Sequence, residues 1–250
     1  MSAVPPEASP STAAALHGRV VLVAGAHGGL GRAASLACAR AGARMVLLGR
    51  RVPRLNRVHD AIVQAGGEAA LYPLDLEGAG ADDYAELAAR VHDEFGRLDG
   101  LLHCAADFRG LTPLEHTDPA AFARALHVNL TARWWLTQAC LPLLRRAADG
   151  AVVFVLDDPD ATRQAYWGGY GIAQSGLRAM VSMLHAELAA TPVRISGLQP
   201  GAMRTALRAQ ISAEGDGGQA RDPDGYAGAC VHLLSAGGAV HRGRIWRPTP

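Results

Sequence analysis

Arg19-Val20-Val21-Leu22-Val23-Ala24-Gly25-Ala26-His27-Gly28-Gly29-Leu30-Gly31 decides the fold of this 250-residue chain. The run from Arg19 to Ala24 reads as a strand buried on both faces, because it is apolar without alternation. It runs straight into glycines, and a helix follows from about Gly31 to Ala41, stopped by Gly42. Glycine lets a chain turn with φ > 0 and lets backbone approach a pyrophosphate closely. The helix that opens there offers free N–H groups and the positive end of its dipole to that anion. Glycines alone carry little weight, since any tight turn uses them. Their place between a strand and a helix gives the turn its meaning as a dinucleotide site.

Outward from this unit, short apolar runs alternate with helix-period segments, which signals βαβ units and a parallel sheet. Met45–Leu48, Ala70–Leu74, Leu101–Cys104, Ala151–Leu156 and Val193–Leu198 read as five further strands, and Gly243–Trp246 as a short seventh. Pro53 suits the first turn of a helix that ends at Gly66-Gly67, and another helix runs from Asp82 to Phe95. Thr117-Asp118-Pro119 caps a long helix reaching Arg146, and a second long helix spans Gly169 to Leu188. The expected fold is α/β, a single doubly wound Rossmann-like domain over residues 17–250. Residues 1–16 read as a disordered tail rich in Ala, Pro and Ser, and Gly215 to Gly218 as a mobile insertion.

Composition narrows the function. The chain is 49% hydrophobic and 19% charged, which is globular, and its net charge of +1 gives no field for nucleic acid or a membrane surface. No apolar run is long enough to span a bilayer. Cys38, Cys104, Cys140 and Cys230 are scattered without metal-ligand spacing, so no metal site is expected and a cytoplasmic location suits them. Asp157, Asp158 and Asp160 read as solvated charge rather than a metal loop. All 24 basic residues are arginine.

The second strand ends at Gly49-Arg50-Arg51, where an NAD site would place an acidic residue for the ribose 2′-hydroxyl. Arginines there suit a 2′-phosphate, so NADP(H) is favoured over NAD(H).

Taken together, these residues resemble the short-chain dehydrogenase/reductase family over nearly the whole chain. Gly25, Gly29 and Gly31, with His27 and Leu30 between them, match its cofactor turn. Asp75-Leu76 resembles the pair that meets the adenine amino group. Ala105 lies in the segment after strand four, Asn129 matches the helix-borne asparagine, and Pro200-Gly201 with Thr205 resembles the segment that contacts nicotinamide and pyrophosphate. The resemblance implies strand order 3-2-1-4-5-6-7 and a homodimer or homotetramer built on the two long helices. It also implies a catalytic tyrosine, Tyr170, helped by a serine and a lysine. The lysine lowers the tyrosine pKa and binds the nicotinamide ribose, and the asparagine holds a water that relays protons to it.

This sequence departs from the pattern at the chemistry. Asp157 stands at the serine position and Gln174 at the lysine position; Ala24, Cys104 and Ala106 also differ from the family's residues. Two unit charges about 4 Å apart interact by roughly 4 kcal/mol at an effective dielectric of about 20, near 3 pKa units. Losing the cation and gaining an anion both push Tyr170 towards the neutral phenol. Alcohol oxidation suffers most, while a neutral phenol still donates a proton to a carbonyl. Two readings stay open: an impaired NADP(H)-dependent oxidoreductase acting on a carbonyl or alcohol of unknown identity, or an inactive nucleotide-binding or protein-interaction member. Arg178, one turn after Gln174, and Arg163 are further candidates to reach Asp157. His103 and His185 read as packed histidines, and Trp134-Trp135 as core or subunit contact.

Overall fold

The computed structural model describes residues 14–210 and 220–248. Seven parallel strands form one sheet in the order β3-β2-β1-β4-β5-β6-β7. The strands are β1 (Val20–Ala24), β2 (Arg44–Gly49), β3 (Ala69–Pro73), β4 (Gly100–His103), β5 (Ala151–Val155), β6 (Arg194–Leu198) and β7 (Ile245–Trp246). The order reverses beside β1, which pairs with β2 through Val20↔Arg44 and with β4 through Val21↔Gly100. Beyond the carboxyl end of β1 and β4 the connections diverge and leave a crevice.

Alternation along β1 explains the two cores. Val20, Leu22 and Ala24 face one side and Val21 and Val23 the other, and all five are buried. On the first side lie α3 (Ala81–Phe95), α5 (Ala132–Leu144) and α7 (Gly168–Glu187). On the second lie α1 (Gly29–Arg40), α2 (Val52–Gln64) and α8 (Ala227–Leu234). The short α4 (Pro119–Leu126) and α6 (Pro159–Thr162) sit at the carboxyl edge of the sheet.

Three expectations need adjustment. Leu16 belongs to the folded body, not to a tail: it is fully buried and its N–H donates to the Ala41 carbonyl at 2.9 Å. The helix capped by Asp118, whose carboxylate accepts the Ala121 N–H at 2.8 Å, is not uniform. Between α4 and α5 it widens into a π-helical stretch, His127–Thr131, centred on Asn129. Such stretches gather at functional sites, and a 3.6-residue periodicity cannot reveal them. The helix after the glycine turn also begins at Gly29 rather than Gly31. Residues 1–13 and the glycine-rich segment at 215–218 lie outside the described residues.

Asp149 ties the amino ends of β1 and β6 together. Its carboxylate accepts from Arg19 Nη1 at 3.1 Å and from Arg194 Nε and Nη2 at 2.5 and 3.0 Å. Partial burial raises its pKa, but the two guanidinium groups outweigh that, and the net direction is downward. A depressed folded-state pKa stabilises the fold above the unfolded value and loses that stability as pH falls through the folded one. Asp149→Asn is therefore expected to cost about 2–3 kcal/mol near neutral pH. The gap between variant and native protein should close in acid, read by chemical denaturation across pH.

Candidate active site

A cleft of about 300 Å³ opens at the carboxyl edge of the sheet. One end is the turn from β1 to α1. Gly25 has φ +82°, and a Cβ there would stand 2.6 Å from the Ala105 nitrogen. A Cβ on Gly31 would collide with the Gly25 carbonyl oxygen. The turn therefore packs backbone on backbone, which only glycine permits. The N-cap of α1 is Gly28, so no side chain covers the helix's first N–H groups, and Gly28, Gly29 and Leu30 line the cleft. That is an anion seat.

Beyond the turn, Arg50, Arg51 and Arg54 converge on His27. The His27 pKa is lowered by burial first, then by Arg51, Arg54 and Arg50, so this corner is electropositive. Among the described residues, Arg50 makes long ion pairs, 3.9 Å to Asp75 and 4.0 Å to Glu77. Asp75 and Leu76 line the adjacent wall, and Asp75 Oδ1 accepts the Glu77 N–H at 3.2 Å. Thr205 and Met203 close the turn from the other side. Pro200 and Gly201 do not line the cleft; they follow β6, with Gly201 pressed against the Tyr226 hydroxyl.

The other end holds Tyr170, Asp157 and Gln174. Tyr170 is buried against Phe108 and Trp167, with ring centroids at 5.3 and 6.0 Å. Its O–H donates to Asp157 Oδ2 in a short hydrogen bond. Gln174 Oε1 accepts the Asp157 N–H at 3.0 Å, which fixes the end of β5. Burial pushes the Tyr170 pKa up, and the Asp157 charge and hydrogen bond push it further. The Arg133 charge and a Gln174 hydrogen bond oppose them, and the net result lies well above the usual value of 10. The carboxylate at 157 thus adds to burial in keeping the phenol neutral.

Asn129 stands apart from the cleft. Its Oδ1 accepts the Asp107 N–H at 2.9 Å, and its Nδ2 donates to the Asp107 and Ala125 carbonyls at 2.8 and 2.9 Å. It clamps the segment that carries Ala105 and Phe108 into the site. Arg178 does reach back, donating to the Asp157 carbonyl at 2.6 Å and to Gln199 Oε1 at 2.7 Å. Arg163 is exposed, and no ion pair joins it to Asp157 among the described residues. His103 is packed, stacked on Phe154 at 4.6 Å and bonded to Thr137 at 2.9 Å. No metal-binding cluster forms among the described residues.

Sequence reasoning missed Arg133. It lies four residues after Asn129, which would put it on the same helix face as that asparagine, and this was the signal available. Its Nη1 donates to the Val155 carbonyl at 3.0 Å and its Nη2 to the Ala105 carbonyl. Arg54, the third arginine of the electropositive corner, was also missed, because it lies inside a helix rather than at the strand end.

The short chain dehydrogenase family model matches residues 19–216. The oxidoreductase YciK of Escherichia coli K12 is 34% identical over 195 residues, 78% of this chain and 77% of that protein. A short chain dehydrogenase structure from Pseudomonas syringae superposes with a TM-score of 0.88 at 38% identity, covering 94% of this chain and 96% of that one. Another from Escherichia coli CFT073, solved with NADPH, gives 0.90 at 30% identity over 96% and 100%.

Two outcomes follow from the geometry. Gly31→Ala is expected to cost about 1–3 kcal/mol through the clash with the Gly25 carbonyl, measured by denaturant unfolding. Asp157→Asn removes the carboxylate's part of the rise but not that of burial, so it should move one tyrosine's alkaline titration step downward, followed by phenolate absorbance. The shifted step should vanish in Asp157→Asn combined with Tyr170→Phe.

Proposed function

The chain belongs to the short chain dehydrogenase family, and we propose that it is an NADP(H)-binding oxidoreductase acting on a carbonyl or alcohol. It works chiefly as a reductase and turns over weakly. One observation carries this reading: a single cleft joins the anion seat and its arginine corner to the buried phenol of Tyr170.

The residues present fit the nucleotide. The uncapped start of α1 and the backbone-packed glycines suit a pyrophosphate. Arg50, Arg51 and Arg54 suit a 2′-phosphate, and Asp75 with Leu76 suit the adenine. When bound, the nicotinamide supplies or accepts the hydride. Tyr170 holds the proton that a substrate oxygen needs. Asp157 holds that proton in place and opposes its release, because the phenolate left behind would face a carboxylate. Gln174 replaces a cation with an amide, whose hydrogen bond offsets that repulsion only in part. This favours proton donation to a carbonyl over proton abstraction from an alcohol, and makes both slow.

A second reading has support in the same bond. The Tyr170 proton is already committed to Asp157, as in a site that binds nucleotide without turnover. Exposed Trp134 on α5 and Ile172 and Met183 on α7 also support pairing of these helices between copies of the chain.

The test is a titration of NADPH and NADH followed by nicotinamide fluorescence. NADPH should bind more tightly, and Arg51→Ala with Arg54→Ala should reduce its affinity by about ten- to a hundredfold while sparing NADH. Saturable binding of neither nucleotide would end the reading. With a panel of aldehydes and ketones, Tyr170→Phe should abolish reduction. Asp157→Ser with Gln174→Lys should raise the rate at least about tenfold. No activity in the native chain, and a gain only in that double variant, would select the second reading.

A further inference from the structure

Arg133 is 2% exposed, yet it lies at the working end of the cleft. It enters from α5, the helix opposite α7, just after the π-helical stretch. Its two terminal nitrogens donate to carbonyls at the ends of β4 and β5, and its Nε is buried without a partner among the described residues. Neutral carbonyls satisfy hydrogen bonds but do not neutralise a charge. A guanidinium stays protonated, so a buried one needs an anion nearby. Arg133 shares that end of the cleft with Tyr170, Cys104 and Asp157, and its partner carbonyl at Val155 lies two residues before Asp157. Cys104 is no anion, because burial pushes its thiol up to about 12. Tyr170 is held neutral by burial first and then by the neighbouring Asp157. The Asp157 carboxylate is the remaining counter-charge.

We propose that Arg133 is the cation of this active site, supplied from α5 instead of α7, and that it acts by balancing the Asp157 carboxylate to which Tyr170 is bonded. Positions 133, 157 and 174 then form one rearranged charge system. A lysine is absent from 174, an anion has arrived at 157, and the compensating positive charge stands at 133. Arg133 is a positioning residue. It fixes where the ends of β4 and β5 sit and sets the electrostatic potential at the phenol. Arg178 is the other cation near Asp157, but it is only half-buried and touches the backbone carbonyl. Solvent screens it more, so its effect on the carboxylate is smaller. The inference deepens the oxidoreductase reading and relies on its assignment of the site, but not on nucleotide binding.

The test is a double-mutant cycle on stability, measured by denaturant unfolding of the full chain without nucleotide. Arg133→Gln should destabilise the native protein. It should cost about tenfold less in the unfolding equilibrium constant when Asp157 is already Asn, because the carboxylate it balanced has gone. Arg133→Lys should retain most of that coupling. The corresponding Arg178→Gln cycle should show less. Additivity of Arg133→Gln and Asp157→Asn within about twofold would overturn the proposal, since a residue that merely bridges two strand ends loses the same bonds in either background. Larger coupling at Arg178 than at Arg133 would overturn it too. If Arg133→Gln alone fails to fold, the double variant Arg133→Gln, Asp157→Asn decides. Recovery of folded protein supports charge balance, and continued failure refutes it. Absence of NADPH binding would end the oxidoreductase reading while leaving this cycle to be judged on its own result.

Discussion

The site exists because two pieces of backbone touch where side chains normally intervene. Gly31 packs on the Gly25 carbonyl, and Gly25 packs on the Ala105 nitrogen. The first contact lets α1 start directly against the end of β1. The second draws the segment after β4 to the same place. From these contacts follow the crevice beside β1, the uncovered N–H groups at its floor, and the entry of Ala105 and Phe108 toward Tyr170. The parallel sheet supplies the frame, since every strand delivers its chain to one edge.

Electrostatics divides the cleft into two unlike halves. At the end beside the glycine turn, three exposed arginines gather around a histidine whose pKa is lowered by burial and then by their charge. That end attracts a multiply charged anion. At the other end, the Asp157 carboxylate holds a neutral phenol, and the Arg133 guanidinium is buried in the same part of the cleft. The first half is built for affinity and the second for a small net charge. Under the proposed function, a bound nucleotide would gain most of its electrostatic attraction far from the reacting atoms.

The fold was legible in the sequence because parallel strands buried on both faces read as plain apolar runs, and β1 and β5 are of that kind. Strand order came from resemblance, since periodicity says nothing about neighbours in space. The glycines, Arg50, Arg51, Asp75, Ala105 and Thr205 do meet around one cleft. Asn129 and Pro200-Gly201 do not line it, because a motif records that a residue belongs near a site and not which way its side chain turns. Arg133 escaped notice for a related reason. An arginine inside an otherwise apolar helix reads as surface, and only the packing of α5 against β4 and β5 shows that it points inward. The boundary at Leu16 failed because a lone leucine in an Ala-rich segment carries no period, yet it fills a gap under Ala41.

The widened turn at His127–Thr131 has a bearing on how this protein tolerates change in length. Each residue added to or removed from a helix turns everything downstream by about 100°. Shortening that turn by one residue would swing the guanidinium of Arg133 away from the strand ends and carry the exposed indole of Trp134 to a different azimuth. A single event would then alter the interior of the crevice and the outer face of α5 together. The lining of the crevice and the outer face of α5 are thereby linked through helical phase, and drift in one is constrained by the other.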